Sequence, residues 1–232
     1  MTSISQIHEQ IRHRLITGQF EHGVKLRAET LRAEFGCSAS TVREILFRLS
    51  TVGLVDFEEQ RGFRVPPQSP DRQHELTAMR ILLEQEGACL SIRLGGVAWE
   101  SQLSAAHHKL SHIEARIRSE GGVEAYLDLW CLAEQEFHET LISACGSALM
   151  HRIHAQIYAQ FRQQLVSAET NYGYFPENIA EHQAILDAAL DRDEARVRTC
   201  IHDHLKRNLT RPEAEPVTPS EPAEGRPRYR PV

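Results

Sequence analysis

Apolar residues recur at steps of three and four along most of the chain, which is the pattern of amphipathic helices. The first segment contains three such helices, of which Gly18 can end the first and Gly36 the second. Ser38 is well suited to cap the start of the third. The inward faces of the first and third helices are Ile4, Ile7, Ile11 and Leu15, and then Val42, Ile45, Leu46 and Leu49.

The stretch "LVDFEEQRGFRV", which follows the third helix, changes to a strand pattern. It predicts two short strands around a turn near Gln60 to Gly62. Three helices followed by a hairpin is the element order of a winged helix-turn-helix domain.

The remainder of the chain predicts an all-helical bundle, with helices near 71–95, 99–119, 122–145, 147–169, 177–191 and 193–209. The proline-rich stretch "VPPQSP" reads as a linker. After Arg211 the chain is rich in proline and poor in large aliphatic residues, which predicts disorder. The predicted fold is therefore mainly α, divided into a winged helix-turn-helix domain (1–66), a linker (67–71), a helical domain (72–209) and a disordered tail (210–232).

Composition narrows the class of protein. The chain is 41% hydrophobic and 25% charged, as in ordinary globular proteins. No apolar run approaches the roughly 20 residues that cross a bilayer, and the N-terminus has no apolar signal region. Five scattered cysteines without a C-x-x-C spacing indicate reduced thiols and, with the missing signal region, a cytoplasmic location. The net charge of −6 argues against a protein that coats nucleic acid indiscriminately.

The third helix has the residues that a recognition helix needs. Small hydroxyl residues at its start can approach phosphates, and Arg43 can grip guanine O6 and N7 together. Gly62 at the wing tip permits close approach of the backbone to DNA. The alternative is that Ser38 only caps the helix and Arg43 is only solvated, but the order of elements favours DNA binding. The predicted DNA contacts are Ser38, Ser40, Thr41, Arg43, Arg61 and Gly62.

The motifs "ITGQFEHGVKL", "FGCSASTVREILFRLSTVGLV" and "RGFRV" resemble the DNA-binding domain of the GntR family of bacterial transcription regulators. The resemblance covers nearly all of residues 4–66. One position departs from the family pattern, because Ala39 stands where the family usually has arginine. The departure affects operator affinity or sequence preference rather than the fold.

Three histidines of the helical domain lie on apolar helix faces. His138 shares its face with Glu134 and with Leu127, Cys131 and Leu141, and His182 and His204 lie on similar faces. A buried Glu–His pair is costly unless the two groups pair with each other or with a cation. The pair could be a surface pair, a catalytic acid and base, or part of a metal site. Periodicity alone cannot show that the three helices bring the histidines together.

The motifs "MRILLEQEGACLSIRLG", "EQEFHETLISACGS", "EHQAIL" and "ARVRTCIHDHL" resemble the all-helical FCD domain of the FadR-type GntR regulators. The resemblance implies a divalent metal ion (zinc first, with nickel, iron or manganese as alternatives) bound through an Asp-x3-His pair and two later histidines. His138, His182 and His204 fall on the histidine positions. Glu134 falls on the carboxylate position, where the family usually has aspartate.

The resemblance further implies that an organic acid completes the metal coordination, and that Arg80 pairs with the acid. The alternative for Arg80 is an i,i+4 surface pair with Glu84. Trp130, Phe137 and Tyr158 are predicted to be core residues rather than specificity determinants.

The sequence thus predicts a homodimeric regulator, with repression as the expected mode, that binds operator DNA and a small carboxylate effector, without a membrane partner. A second hypothesis keeps the regulator but makes the metal structural, or itself the signal. A third, a non-haem metal enzyme, is disfavoured by the recognition helix and by the lack of a second acid or base near the ligands.

Overall fold

The computed structural model describes residues 3–166 and 173–210. Its N-terminal part is a winged helix-turn-helix domain. The strands form one antiparallel sheet in the order β1-β3-β2. The predicted hairpin is confirmed, whereas β1 was not predicted because two residues carry no alternation. The elements are α1 (Ile4–Ile16), β1 (Lys25–Leu26), α2 (Ala28–Phe35), α3 (Ala39–Thr51), β2 (Asp56–Glu58) and β3 (Gly62–Arg64).

Local chemistry explains where these elements begin and end. Ser3 starts α1 through a capping box with Gln6. Gly36 ends α2 at a φ of 62°, a left-handed conformation that glycine adopts without steric cost. The Ser38 hydroxyl accepts a hydrogen bond from the Thr41 backbone N–H and so caps the recognition helix α3.

The C-terminal part is the predicted helical bundle. α4 begins at Pro70, inside the segment predicted as linker, because Ser69 caps it and proline suits the first turn. Short 3-10 helices, Glu124–Tyr126 and Lys206–Asn208, precede α6 and follow α9. The predicted tail from residue 211 lies outside the described residues. The main helices are α4 (Pro70–Leu94), α5 (Val97–Glu120), α6 (Leu127–Leu141), α7 (Ala148–Leu165), α8 (Asn178–Leu190) and α9 (Glu194–Leu205).

The core of the bundle is shared by all six helices, with the main packing of α4 against α7 and α9, of α5 against α6 and α8, and of α8 against α9. Trp130, Phe137 and Tyr158 are buried in it, as predicted. Charged side chains are buried beside these apolar residues, among them Arg80, which is fully enclosed. Such groups are rare in cores unless they are paired.

Helix α7 joins the two domains. The Gln160 amide donates to the Val52 carbonyl at 3.1 Å, and the Gln163 amide donates to the Leu54 carbonyl at 2.9 Å. Gln164 accepts a hydrogen bond from the Ser69 backbone N–H at 2.9 Å. The turn after the recognition helix and the linker are thus both fixed to one helix of the bundle.

None of the helices in the described residues has the length and hydropathy that crossing a membrane requires.

Candidate metal centre and DNA interface

The bundle brings the three predicted histidines together. His138 on α6, His182 on α8 and His204 on α9 are buried, and one ligand atom from each lies within 4.8 Å of the others. Their ring centroids are 4.6 to 5.5 Å apart. Periodicity could not predict these separations between the rings, and they agree with a shared site.

Each histidine of the triad contacts a different carboxylate through Nδ1. His138 pairs with Glu84 at 2.8 Å and His182 with Glu114 at 3.1 Å. His204 pairs with Glu181 at 2.9 Å. A carboxylate on one ring nitrogen fixes the tautomer and leaves the other nitrogen as a metal ligand.

The remaining nitrogens fit a bound cation. Nε2 of His138 and Nε2 of His182 are buried and have no hydrogen-bond partner among the described residues. Buried polar atoms are normally satisfied, so two orphaned imidazole nitrogens in one cluster call for a ligand. The three residues together fit a divalent metal ion that accepts nitrogen ligands.

The electrostatic surroundings keep two of the imidazoles in the metal-binding form. Burial lowers the pKa of His138, although Glu84 opposes the shift. Burial, together with His182 and His138, lowers the pKa of His204 well below its usual value. Neutral imidazole is the form that binds metals, so the lowered pKa values favour coordination at neutral pH.

The three carboxylates that orient the histidines were not predicted as parts of the site. Glu84 and Glu114 are fully buried, and Glu181 is partly buried. Glu114 falls on the apolar face of α5 that also includes Leu110 and Ile117. A carboxylate on an apolar stripe is the same pattern that drew attention to Glu134, and it could have identified Glu114.

Glu134 is buried as predicted, but its carboxylate is not in the group of converging ligand atoms. Its Oε2 accepts a hydrogen bond from the Tyr158 hydroxyl at 2.5 Å, and its Oε1 lies 3.4 Å from Arg80 and 3.7 Å from His138 Nε2. Burial works to raise the pKa of Glu134, but Arg80 and Arg162 outweigh it and lower the pKa to about 2. Glu134 is therefore an ionised carboxylate held by two arginines and a tyrosine beside the triad.

Arg80 does form the i,i+4 pair with Glu84, with 2.6 Å between Nε and Oε1, but the pair is fully buried and not on the surface. The guanidinium lies over the rings of Tyr158 and Phe161. Its Nη1 has no hydrogen-bond partner among the described residues. A very small cavity, with a free volume of about 10 Å³, adjoins Arg80, Glu134 and His204.

Three of the predicted DNA-contacting residues, Arg43, Arg61 and Gly62, line one concave surface of the winged domain. The Arg43 side chain is 61% exposed and lies 3.8 Å from Glu29, whereas Arg61 at the wing tip is 75% exposed and pairs with Glu58. Gly62 has a φ of 82°, which only glycine adopts readily.

At the start of α3 the Ser38 hydroxyl is hydrogen-bonded to the hydroxyls of both Ser40 and Thr41. Two further cations that the sequence did not single out, Lys25 and Arg27, line the same concave surface as Arg43 and Arg61. A surface with four cations next to an exposed recognition helix suits a phosphate backbone.

Comparison with known proteins agrees with both halves of this description. The family model for bacterial regulatory proteins of the gntR family matches residues 3–65, and the FCD domain model matches residues 75–207.

Two relatives align over most of the chain. The HTH-type transcriptional regulator BphR of Paraburkholderia xenovorans (strain LB400) is 33% identical over 209 residues, covering 89% of this chain and 84% of its own. The HTH-type transcriptional repressor GlaR of Escherichia coli (strain K12) is 29% identical over 203 residues, covering 84% of this chain and 89% of its own.

Among solved structures, E. coli McbR/YncC superposes with a TM-score of 0.74 at 19% identity, covering 90% of this chain and 96% of that chain. A transcriptional regulator from Rhodococcus sp. RHA1 gives a TM-score of 0.72 at 20% identity over 89% and 95% of the two chains. These structures show the shared fold, and the family matches extend the agreement to function. The chain therefore belongs to the GntR family of bacterial regulatory proteins, in the group with an FCD domain, and is a DNA-binding transcriptional regulator.

Proposed function

We propose that this regulator holds one divalent metal ion on His138, His182 and His204, and that a small organic acid bound beside the ion changes operator affinity. The observation that carries the proposal is the triad itself, in which a carboxylate orients each Nδ1 and two buried Nε2 atoms have no other partner. A bound divalent ion would supply a Lewis acid that attracts carboxylate oxygens.

The donor set leaves several metals open. Imidazole suits zinc, nickel and iron, and a carboxylate ligand would suit manganese also. Glu134 as a fourth ligand remains a prediction. To reach the ion it would have to give up its hydrogen bond from Tyr158 and its contact with Arg80.

Arg80 is the proposed partner of the organic acid, and its Nη1 is the donor that remains unused. An incoming carboxylate would also compete with Glu134 for the guanidinium. An effector can shift the equilibrium between two regulator states only by binding one of them more tightly. Helix α7 carries Tyr158 beside Glu134 and also holds the DNA-binding domain through hydrogen bonds. A rearrangement at Glu134 that moves α7 would therefore move that domain.

We extend the proposal to a homodimer that acts in the cytoplasm on operator DNA. The relative GlaR is a repressor, and repression is proposed here on that basis. Paired helix-turn-helix domains read two half-sites, so dimerisation fits the DNA-binding fold.

A second candidate function keeps the metal but assigns it a structural role or makes it the signal. The observation in its favour is that Arg80 already has two internal counter-ions, Glu84 and Glu134, beside a cavity with a free volume of only about 10 Å³. In this reading no organic acid binds.

One experiment separates these functions. Purified protein is analysed for metal content, and its melting temperature is then measured with a panel of small carboxylates, once metal-loaded and once chelated. We expect one metal ion per chain, and a higher melting temperature with at least one acid only when metal is present, because a ligand stabilises the state it binds. If no acid shifts the metal-loaded protein, the second candidate is favoured.

The variant for this experiment is His182→Ala, which should lose the metal. His108→Ala is the matched control, because His108 is an exposed histidine on α5 outside the triad. Wild-type protein without metal, melting identically with and without chelator, would remove the site.

A further inference from the structure

The exposed face of the recognition helix α3 has two stripes of side chains with different chemistry. Glu44 and Arg48 form one stripe, and they neutralise each other through an i,i+4 ion pair at 2.5 Å. Ser40, Arg43 and Phe47 follow one another at steps of three and four residues and form the other stripe. The second stripe therefore carries a guanidinium and, one turn later, an aromatic ring.

Phe47 is a large apolar side chain that is half-exposed. Its exposed fraction is 52%, and that of Phe57 on β2 is 48%. The two rings meet edge to face with 6.1 Å between their centroids, and Phe57 lies 4.9 Å from the ring of Phe63 on β3. The three rings therefore join the wing to the recognition helix and leave Phe47 and Phe57 open to a partner on one side.

The aromatic pair borders the concave surface that carries the cations. Phe57 lines this surface together with Arg43 and Arg61, and Phe47 packs against Phe57 one turn after Arg43. DNA that occupies the surface would therefore meet the exposed rings. A ring without a donor cannot form a hydrogen bond with a base or a phosphate. The 5-methyl group of thymine, which lies in the major groove, is the apolar group that phenylalanine contacts on DNA.

We propose that Phe47 contacts the 5-methyl group of a thymine in the operator, and that Phe57 is a positioning residue for the Phe47 ring. Residues four apart on a helix are separated by about 6 Å along its axis, and successive base pairs by about 3.4 Å. The thymine is therefore expected about two base pairs from the guanine that is predicted to pair with Arg43. The inference depends on the DNA-binding fold and on neither the metal ion nor the organic acid.

The methyl contact would add a second specified base pair to the one that Arg43 can specify. Ser40 is short, and its hydroxyl lies 2.7 Å from that of Ser38. Arg43 is a long donor and suits guanine. Cytosine has no methyl group, so a ring at Phe47 favours thymine over cytosine at its position. Burial of one methyl group corresponds to about a fourfold gain in affinity.

The first test selects binding sites for the full chain from a pool of DNA duplexes with a randomised central segment. We expect the wild-type protein to enrich a guanine with a thymine about two base pairs away. Phe47→Ala should keep the preference for guanine and lose that for thymine. The matched control Ile4→Ala should keep both, because Ile4 on α1 has the same exposed fraction of 52% but does not line the concave surface.

The second test removes the methyl group alone. Deoxyuridine replaces the thymidine in the selected duplex, which keeps the base pair, and the Kd is measured by fluorescence anisotropy. The wild type and Ile4→Ala should lose about fourfold in affinity, whereas Phe47→Ala should lose less than about 1.5-fold. Phe47→Leu keeps an apolar side chain and should retain most of the methyl effect. Circular dichroism should show all variants folded.

A third duplex separates the methyl group from the identity of the base pair. It carries 5-methylcytosine at the thymine position and is compared with the duplex that carries cytosine there. The wild type should bind the methylated duplex about fourfold more tightly, and Phe47→Ala should bind the two alike. Phe57→Ala should reduce the methyl effect, and Phe57→Tyr, which keeps the ring, should restore it.

A role for the aromatic pair in fastening the wing alone gives different results. Phe47→Ala would then weaken binding to the thymine and uracil duplexes equally, and a methyl effect that stays at about fourfold in this variant overturns the inference. A wild-type protein that is indifferent to uracil at every thymine of the selected duplex overturns it as well. If the wild type enriches no sequence from the pool, the recognition-helix assignment fails together with the inference.

Discussion

Glu84 is a buried charge that connects three neighbouring side chains. It is fully enclosed and accepts hydrogen bonds from Arg80 Nε at 2.6 Å, His138 Nδ1 at 2.8 Å and His154 Nε2 at 3.0 Å. Burial works to raise the pKa of Glu84, but Arg80 and His138 lower it well below the usual value. The side chain is therefore an anion that neutralises Arg80.

The substitution Glu84→Gln keeps the shape of this side chain and removes its charge. Arg80, which is also fully buried, is then left with Glu134 at 3.4 Å as its counter-ion. Removing one partner of a buried ion pair costs about 3–5 kcal/mol. Because the amide oxygen still accepts one hydrogen bond and Glu134 remains, we expect a loss of about 3 kcal/mol. That is a large part of the roughly 5–15 kcal/mol that stabilises a typical domain.

The matched control is Glu86→Gln, which is the same substitution two residues later on the same helix. Glu86 is exposed and pairs with Arg198 at 2.8 Å. Exposed ion pairs contribute at most about 1 kcal/mol. Both free energies of unfolding are measured by urea denaturation with chelator present, so that metal binding does not contribute. If Glu84→Gln is no more destabilising than Glu86→Gln, the buried ion-pair network is not a source of stability.

A compensating variant tests the cause of the loss. Arg80→Met combined with Glu84→Gln removes both charges and should be more stable than Glu84→Gln alone, because no guanidinium is left short of counter-ions. Metal affinity is a second readout. Since Glu84 orients His138 through Nδ1, Glu84→Gln should weaken metal binding by about tenfold, at the lower end for such orienting groups.

Two further predictions concern the DNA-binding domain. Arg43→Ala should abolish sequence-specific operator binding in a gel-shift assay while the bundle stays folded, and the equally solvated Arg116→Ala on α5 should not; unchanged affinity would refute the recognition-helix assignment. Gly53→Ala should lower the melting temperature more than Gly23→Ala, because only at Gly53 would the added Cβ lie 2.8 Å from the Gln160 side chain. Both glycines have a positive φ, so the backbone strain of the two variants is similar, and equal melting temperatures would show that the Gln160 side chain moves away.

Most of the fold was predictable because the spacing of apolar residues along the chain indicates the type and the buried face of each helix. The helices of both domains keep their apolar faces inward, and the hairpin turn is marked by Gly62. The strand β1 was missed, since two residues show no alternation and the pairing with β3 is set by tertiary structure. The start of α4 was also predicted incorrectly, because the Ser69 cap and Pro70 extend the helix into the predicted linker.

The candidate site was only partly predictable. His138, His182 and His204 were identified because an imidazole on an apolar face is conspicuous. Their separation depends on how α6, α8 and α9 pack, and local sequence does not encode it. The role of Glu134 could not be predicted from the sequence either, because its arginine neighbours come from α4 and α7, far away in the chain.

The balance of buried charge supplies a separate argument for the metal. Arg80 and Arg162 neutralise Glu84 and Glu134 within the network. Glu114 is fully buried, and its donors among the described residues are His182 and the Trp130 indole.

The second oxygen of Glu114 has no partner among the described residues, and no arginine or lysine of that part of the chain pairs with it. An isolated buried carboxylate is expensive unless a cation lies nearby. A divalent ion on His182 would place positive charge one imidazole away from Glu114, in the carboxylate–histidine–metal arrangement. The surplus negative charge of this cluster therefore favours a cation at the triad independently of the orphaned nitrogens.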